Sequence, residues 1–324
     1  MRDDPDFDGL MYAFDVDANG RGRHLRGAEL STPPQDDVAY RWVHLDFEKE
    51  SSCRWISDWA DETVAHLLTA ENTRPQFAPY KEGFILTLRG VNLNPDANPE
   101  DMVSVRVFMR GKTIVSTRRR RLMAVVALRE ALEAGAGPAS AIGFLTELAD
   151  GLTVHMDKVI LEMGDAVDTL EERSLADPSG LRTELSRLRR EAIILRRYIA
   201  PQRDALHAMI SGVPTLEPPE VADLRNIVDR VTRMIEELDA LRERAMILSD
   251  QLADRRAEQM NQHTMVLSVV AAIFLPLGFL TGLLGVNIAG IPGIDYPYAF
   301  ALFCVLLVVL GAAMLAFFRW LKWI

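Results

Sequence analysis

The amino-acid sequence predicts an α+β membrane protein: a soluble α/β domain, a long helical stalk and two C-terminal transmembrane helices. Three features support this prediction. The first part of the chain alternates short apolar runs with turn residues, the middle part has nearly continuous helical patterns, and two uncharged apolar runs lie near the C-terminus. A chain of 324 residues is long enough for more than one domain. We expect domains at residues 1–121, 122–263 and 264–324.

The first domain is predicted to be a compact α/β unit. Up to about Arg121, runs typical of β-strands are separated by turn signals, such as the Asn-Gly pair in GLMYAFDVDANGRG. Two alternating runs flank Arg110-Gly111-Lys112 and are predicted to form a hairpin. One helix is predicted over residues 51–71, where Ile56, Val64 and neighbouring apolar residues recur at helical spacing.

Three helical regions are predicted after this domain. They run from Leu122 to about Leu175, from Gly180 to Ile210, and from Pro219 onward. No proline or glycine occurs between Pro219 and Pro276, so the last helix is predicted to continue into the first apolar run. Such a helix would be about 100 Å long. Its apolar seams fit either a coiled coil or an intramolecular bundle.

Two membrane spans are predicted, at about 264–286 and 298–318. Neither run contains a charged residue, and each supplies the roughly 20 apolar residues that a membrane helix needs. Lys and Arg residues precede the first span and follow the second, and the loop between the two spans contains neither. Those flanking residues are Arg255, Arg256, Arg319 and Lys322. The chain is therefore expected to cross the cytoplasmic (inner) membrane twice, with both termini in the cytoplasm.

One face of the long helix is predicted to form an ion path, because steps of seven and eleven residues return to within about 20° on a helix. We call this face the pore line; it comprises Asp250, Asp254, Asn261, Met265, Ser268, Ala272, Leu275, Phe279 and Val286, with Asn287 one step beyond. In an oligomer with this helix around a central axis, each position would become a ring. Oxygen-bearing rings and apolar constrictions build cation pathways. A solvated stalk face is the alternative interpretation of Asp250 and Asp254.

Two further residues are candidates for contact with an ion. His263 is placed near the membrane entrance, although a step of about 200° from Asn261 points it away from the pore line and favours a headgroup or helix contact. Asp295 is the acidic residue of the loop between the spans. The six histidines and two cysteines form no local pattern of metal ligands.

The segment MNQHTMVLSVVAAIFLPLGFLTGLLGVN, followed by one more span and a short tail, resembles the CorA superfamily of divalent-metal transporters. The family signature is Gly-Met-Asn at the end of the first of two spans; here it is Gly285-Val286-Asn287, with Asn261 and Pro276 at the family spacings. This variant, followed by IAGIPG, is more similar to the ZntB zinc-transport branch than to the magnesium branch. The resemblance covers the whole chain.

The resemblance implies a homopentameric funnel with ion passage along its axis. It implies that Gly285, Val286 and Asn287 form the filter, that Asn261 lines the inner pore and that Leu275 is an apolar gate. Asp250 falls where some members bind regulatory magnesium between subunits. Gly278 and Ser268 stand where magnesium members usually carry Thr, which argues against magnesium selectivity.

Three functions are compatible with the sequence. The first is zinc transport, with proton coupling as the ZntB branch suggests; the second is a magnesium, cobalt or nickel channel of the same architecture; the third is a non-conducting membrane-anchored scaffold or metal sensor. The expected partners are other copies of the chain, the lipid bilayer and divalent cations. A net charge of −10 argues against nucleic acid. No phosphate loop or catalytic triad pattern occurs, so we expect no enzymatic activity and no required cofactor.

Overall fold

A computed structural model describes residues 7–71, 73–176, 180–286, 291, 293, 296–321 and 323. The chain divides into two compact units, Met1–Leu248 and Ser249–Ile324, which are described separately. The three domain boundaries inferred from the sequence stay a prediction.

The first unit contains a seven-stranded sheet with the strand order β2-β1-β3-β7-β6-β5-β4. Neighbouring strands are antiparallel except β3 and β7, which are parallel. The strands are β1 (Leu10–Val16), β2 (Gly22–His24), β3 (Tyr40–Asp46), β4 (Gln76–Tyr80), β5 (Gly83–Gly90), β6 (Val103–Arg110) and β7 (Thr113–Arg118). The predicted hairpin around Arg110-Gly111-Lys112 and the predicted Asn-Gly turn are both present, with Gly111 and Gly20 at positive φ in these turns. A short 3-10 helix, Gly27–Ser31, follows β2.

The single helix predicted over residues 51–71 is two helices, α1 (Glu50–Trp59) and α2 (Glu62–Thr69). The break falls at Asp61, whose side chain accepts a hydrogen bond from the Val64 N–H and so begins a new helix. These helices cover one face of the sheet. Buried apolar residues between them include Val43, Ile56 and Phe108.

The helical region predicted from Leu122 to about Leu175 contains two helices, α3 (Met123–Glu133) and α4 (Ala141–Ala176). The segment between them contains Gly135 at a φ of 72° and Pro138, neither of which suits a helix interior. The next helix, α5, spans Leu181–Gly212 with Pro201 inside it.

Two helices account for the predicted membrane spans. Helix α6 runs from Pro218 to Leu284, and α7 runs from Ala299 to Trp320. Each contains a window long and apolar enough to cross a membrane, with mean hydropathies of 2.3 and 2.8. Within the described chain only 6% and 0% of these windows are buried. The apolar surface of a single chain is therefore left for lipid or for other copies.

Candidate functional site

The pore line is uncovered along the whole part of α6 that lies in the second unit. The polar members Asp250, Asp254, Asn261 and Ser268 are exposed, as is Ala272. The apolar members are exposed as well: Met265 by 41%, Leu275 by 74%, Phe279 by 65% and Val286 by 44%. Gly285 and Val286 directly follow the end of α6 and are also exposed.

Two predicted residues cannot be placed. Asn287, the amide of the predicted filter, and Asp295, the acidic residue of the loop, both lie outside the described residues. His263 is described and exposed on α6, on the side of the helix that the sequence predicts to face away from the pore line.

A different side of α6 packs within the second unit. Val269 is only 3% exposed, and Ile273, Pro276 and Leu280 are half-buried. These residues follow the pore line by one position each, so their seam lies about 100° around the helix from it. A Cβ placed on Gly311 of α7 would lie 3.7 Å from Leu277 Cδ1, which shows that α7 packs near this seam.

Helix α7 has a matching seam. Its buried and half-buried residues recur mostly every three or four positions, the spacing of a helix-packing face; they are Ala299, Phe303, Leu307, Leu310, Gly311, Met314 and Phe318. The remaining residues of α7 are mainly exposed and apolar. Because α7 packs on the seam, the adjacent pore line stays free to face other copies or an aqueous path.

The hydroxyl of Ser268 is oriented by its own helix. Ser268 Oγ donates a hydrogen bond to the Thr264 carbonyl oxygen at 2.8 Å. Its proton is thereby used, and its lone pairs remain available as an oxygen ligand on the exposed pore line. Thr281 Oγ1 likewise donates to the Gly278 carbonyl oxygen at 3.0 Å.

Sequence reasoning missed three further acidic residues on α6, in the first unit. Asp229, Glu236 and Glu243 are exposed and spaced seven residues apart, and the same spacing leads along the sequence to Asp250. A seven-residue repeat keeps its members near one side of a helix. The repeat was visible in the sequence and could have extended the pore line toward the N-terminus of α6.

Two other carboxylates of the first unit form ion pairs with an arginine. Asp168 and Glu171 of α4 both pair with Arg244 of α6, and these contacts raise the pKa of Arg244. These ion pairs join two helices, and the paired carboxylates are less available to cations than the exposed acidic residues on α6. Among the described residues, no group of three or more His, Cys, Asp or Glu side chains is arranged to hold a metal ion.

An acidic cleft of about 420 Å³ lies between the N-terminal parts of α4 and α6. Its lining includes Glu147, Asp150, Glu220 and Asp223. Asp150 pairs with Arg230, and Glu220 accepts a hydrogen bond from Ser140 Oγ at 3.0 Å. Burial, together with the nearby charge of Asp150, raises the pKa of Glu147. The cleft adds negative charge at the start of α6.

A long helix that carries acidic and amide side chains along one line and ends in the first of two apolar helices gives the chain the architecture of a two-span membrane protein. The chain belongs to the family described as CorA-like Mg2+ transporter protein, whose model matches residues 37–320. This membership confirms the superfamily inferred from the sequence.

Individual relatives agree with the family. The chain is 38% identical over 324 residues to a protein of Pectobacterium atrosepticum named zinc transport protein ZntB, and the match covers 98% of this chain and 96% of the relative. Among solved structures, the full-length CmaX protein has a TM-score of 0.87 at 36% identity and covers 99% of this chain and 100% of its own. The CorA magnesium transporter of Methanocaldococcus jannaschii shares the fold, with a TM-score of 0.83 at 16% identity over 97% of this chain and 98% of its own.

These comparisons confirm the ZntB-like branch as well as the superfamily. They also place the chain among transporters of divalent metal cations, a class without an enzymatic role in its description. The predicted arrangement of an N-terminal α/β domain, a long helix and two C-terminal apolar helices is the fold that the solved relatives share.

Proposed function

We propose that this chain transports zinc across the cytoplasmic membrane as a homopentamer, through a central path formed by the pore lines of its α6 helices. Both termini lie in the cytoplasm, and Asn287 with Gly285 and Val286 forms the external filter. Transport is driven by electrochemical gradients and is coupled to protons. No resident cofactor is needed, because the metal ion is the transported substrate.

One observation carries the pore proposal: α7 packs about 100° away from the pore line, so packing within one chain leaves that line uncovered. Asn261 lies just before the predicted first span and Ser268 lies inside it, so the uncovered line carries polar oxygen atoms at the membrane entrance and within the span. Their placement on the uncovered line favours contact with water and ions. The acidic residues toward the start of α6 would raise the local cation concentration.

Zinc is favoured over magnesium by the name of the Pectobacterium atrosepticum relative, which is similar along nearly the whole chain. The pore line itself offers oxygen ligands from Asn261 and Ser268 but no histidine or cysteine. Oxygen ligands suit a hydrated ion better than a stripped zinc ion, which prefers nitrogen and sulfur. Zinc is therefore proposed to pass with water still bound. A magnesium, cobalt or nickel channel remains the second candidate, because the family description names Mg2+.

The deciding experiment is uptake into proteoliposomes that contain a zinc-sensitive dye. We expect zinc uptake that persists in excess magnesium and that changes when a pH gradient is imposed. Uptake abolished by magnesium and indifferent to pH would support the magnesium, cobalt or nickel channel instead. An assembled oligomer that passes no divalent ion would support the non-conducting scaffold.

Two variants connect this activity to the pore line. Asn261→Leu should lower zinc uptake at least tenfold, because a polar ring becomes apolar, whereas Gln262→Leu, the same kind of change one residue further along α6, should leave it nearly unchanged. Asn287→Ala should abolish uptake without dissociating the oligomer. Equal uptake by Asn261→Leu, Gln262→Leu and the unmodified protein would refute the pore line.

A further inference from the structure

Pro276 lies inside α6, within the apolar run. A helical residue normally donates its N–H to the carbonyl oxygen four positions earlier, which here belongs to Ala272, but proline has no N–H. The Ala272 carbonyl oxygen therefore lacks its helical donor. Ala272 is a member of the pore line and is exposed, and its methyl side chain is too small to shield its own main chain.

Among the described residues, no side chain donates a hydrogen bond to the Ala272 carbonyl oxygen in place of the missing N–H. The hydroxyl protons of Ser268 and Thr281, which flank Ala272 along α6, are already donated to the carbonyl oxygens of Thr264 and Gly278. Thr264 lies about 12 Å from Ala272 along the helix axis, beyond the reach of its hydroxyl.

Helix α7 does not supply a donor either. Its sequence, AFALFCVLLVVLGAAMLAFFRW, has side-chain nitrogen donors only at Arg319 and Trp320 in its last turn. Neither side chain donates a hydrogen bond to Ala272 within the described residues. Moreover, α7 packs near the seam of Val269 and Leu280, which lie about 60° and about 80° from Ala272 around α6.

An unpaired carbonyl group is strongly unfavourable in hydrocarbon, so freed carbonyl groups in membrane helices are satisfied by neighbouring helices or by water. We propose that the Ala272 carbonyl oxygen, freed by Pro276, accepts hydrogen bonds from the water shell of the permeating divalent cation. This inference rests on the proposed function, because it requires the pore line to face an aqueous path. Pro276 acts here as a positioning residue.

The position of this oxygen has a consequence for conduction. Leu275, one helical turn further along the pore line, is 74% exposed and is the predicted apolar gate. An apolar ring repels a hydrated ion, and a carbonyl oxygen beside it provides a polar contact just before the constriction. Water bound to a divalent cation is a strong donor, because the metal ion polarises its O–H bonds.

The test compares two residues at position 276 that differ in one group. Pro276→Ala restores the N–H and closes the hydrogen bond to Ala272. Replacement of Pro276 by lactic acid, the hydroxy-acid analogue of alanine, has the same methyl side chain but an ester oxygen in place of the N–H. The carbonyl of Ala272 thus stays free in the ester variant alone.

Zinc uptake into proteoliposomes is measured across a range of zinc chloride concentrations for both variants and for the unmodified protein. Pro276→Ala should raise the concentration of half-maximal uptake about tenfold, the effect of losing one hydrogen bond to a charged group, while the ester variant stays within about twofold of the unmodified protein. An unchanged half-maximal concentration in Pro276→Ala overturns the inference. Equal shifts in both variants also overturn it, since they assign the effect to the proline ring.

Failure of the proposed function gives a different pattern. In that case Asn261→Leu leaves uptake unchanged, or the unmodified protein takes up no zinc. If Asn261→Leu lowers uptake while Pro276→Ala does not change the half-maximal concentration, the pore line stands and only the role of Ala272 is lost. Elution of each variant at the oligomer position in detergent confirms that it has folded and assembled.

Discussion

His44 is a fully buried titratable side chain in β3, and its surroundings keep it neutral. Its Nδ1 lies 2.7 Å from Ser116 Oγ, which also accepts the Trp42 Nε1–H at 2.8 Å. The ring stacks on Tyr12 at 5.6 Å. Burial, and then the positive charge of nearby Arg118, lowers the pKa of His44 well below 6.5. The folded state therefore resists protonation of this side chain.

We predict that His44 makes the first unit less stable in mild acid. Below pH 6.5 an unfolded histidine binds a proton that the folded His44 does not. The free energy of unfolding is therefore highest above that pH and falls by up to about 1.4 kcal/mol per pH unit below it. His44→Asn, which can still accept a hydrogen bond, should flatten this slope between pH 6.5 and 5. Tryptophan fluorescence during denaturation measures it. An unchanged slope in His44→Asn, or the same flattening in the exposed-site control His66→Asn, would contradict this account.

The two ion pairs of Asp15 show how burial determines the contribution of an ion pair to the stability of the protein. Asp15 accepts from Arg41 Nε at 2.7 Å, with both side chains nearly fully buried, and from Arg23 Nη2 at 3.1 Å, where Arg23 is 61% exposed. Arg41→Met should destabilise the protein by about 3–5 kcal/mol, because a buried carboxylate loses its partner. Arg23→Met should cost less than about 1 kcal/mol. Urea denaturation monitored by fluorescence distinguishes them, and similar losses would contradict the burial argument.

At the scale of elements, sequence patterns predicted the strands and helices that have strong periodicity. They failed to predict a short edge strand and a break between two helices. Strand β4 was missed because it is five residues long, contains Pro79 and lies at the sheet edge, where such residues are tolerated. The break between α1 and α2 was missed because Asp61 does not interrupt the helical pattern of apolar residues. The seam between α6 and α7 could not be predicted, since both runs are mostly apolar around the helix and no periodicity marks the contact.

Neighbouring positions on α6 should differ in access to water. In a background with Cys53→Ser and Cys304→Ala, Ala272→Cys on the pore line should react with a water-soluble thiol reagent, and the reaction should block most zinc uptake. Ile273→Cys, on the half-buried seam, should react slowly and retain uptake. The reagent acts on thiolates in contact with water. Faster reaction at position 273 than at 272 would assign the aqueous path to the wrong side of α6.

For the whole molecule, the pore line could be proposed from the sequence because helical spacing specifies direction on a helix, and its role stays a prediction. The sequence could not reveal which side of α6 packs on α7, and this packing is what leaves the pore line uncovered in a single chain. The filter residue Asn287 lies outside the described residues, so its role stays a prediction. The proposed path also requires assembly of several copies, because two spans in one chain cannot enclose a path.

Disulfide cross-linking at the predicted gate residue tests the number of copies in the oligomer. Leu275 and Phe274 are adjacent and similarly exposed, by 74% and 67%, but only Leu275 belongs to the pore line. In the same cysteine-free background, Leu275→Cys should form disulfides between copies around the axis, whereas Phe274→Cys should not, because its side chain points toward lipid. Since each cysteine forms one disulfide, a ring of five leaves about one chain in five unlinked even after complete oxidation. Complete dimerisation would indicate an even number of copies, and preferential linkage through Phe274→Cys would place the wrong side of α6 at the axis.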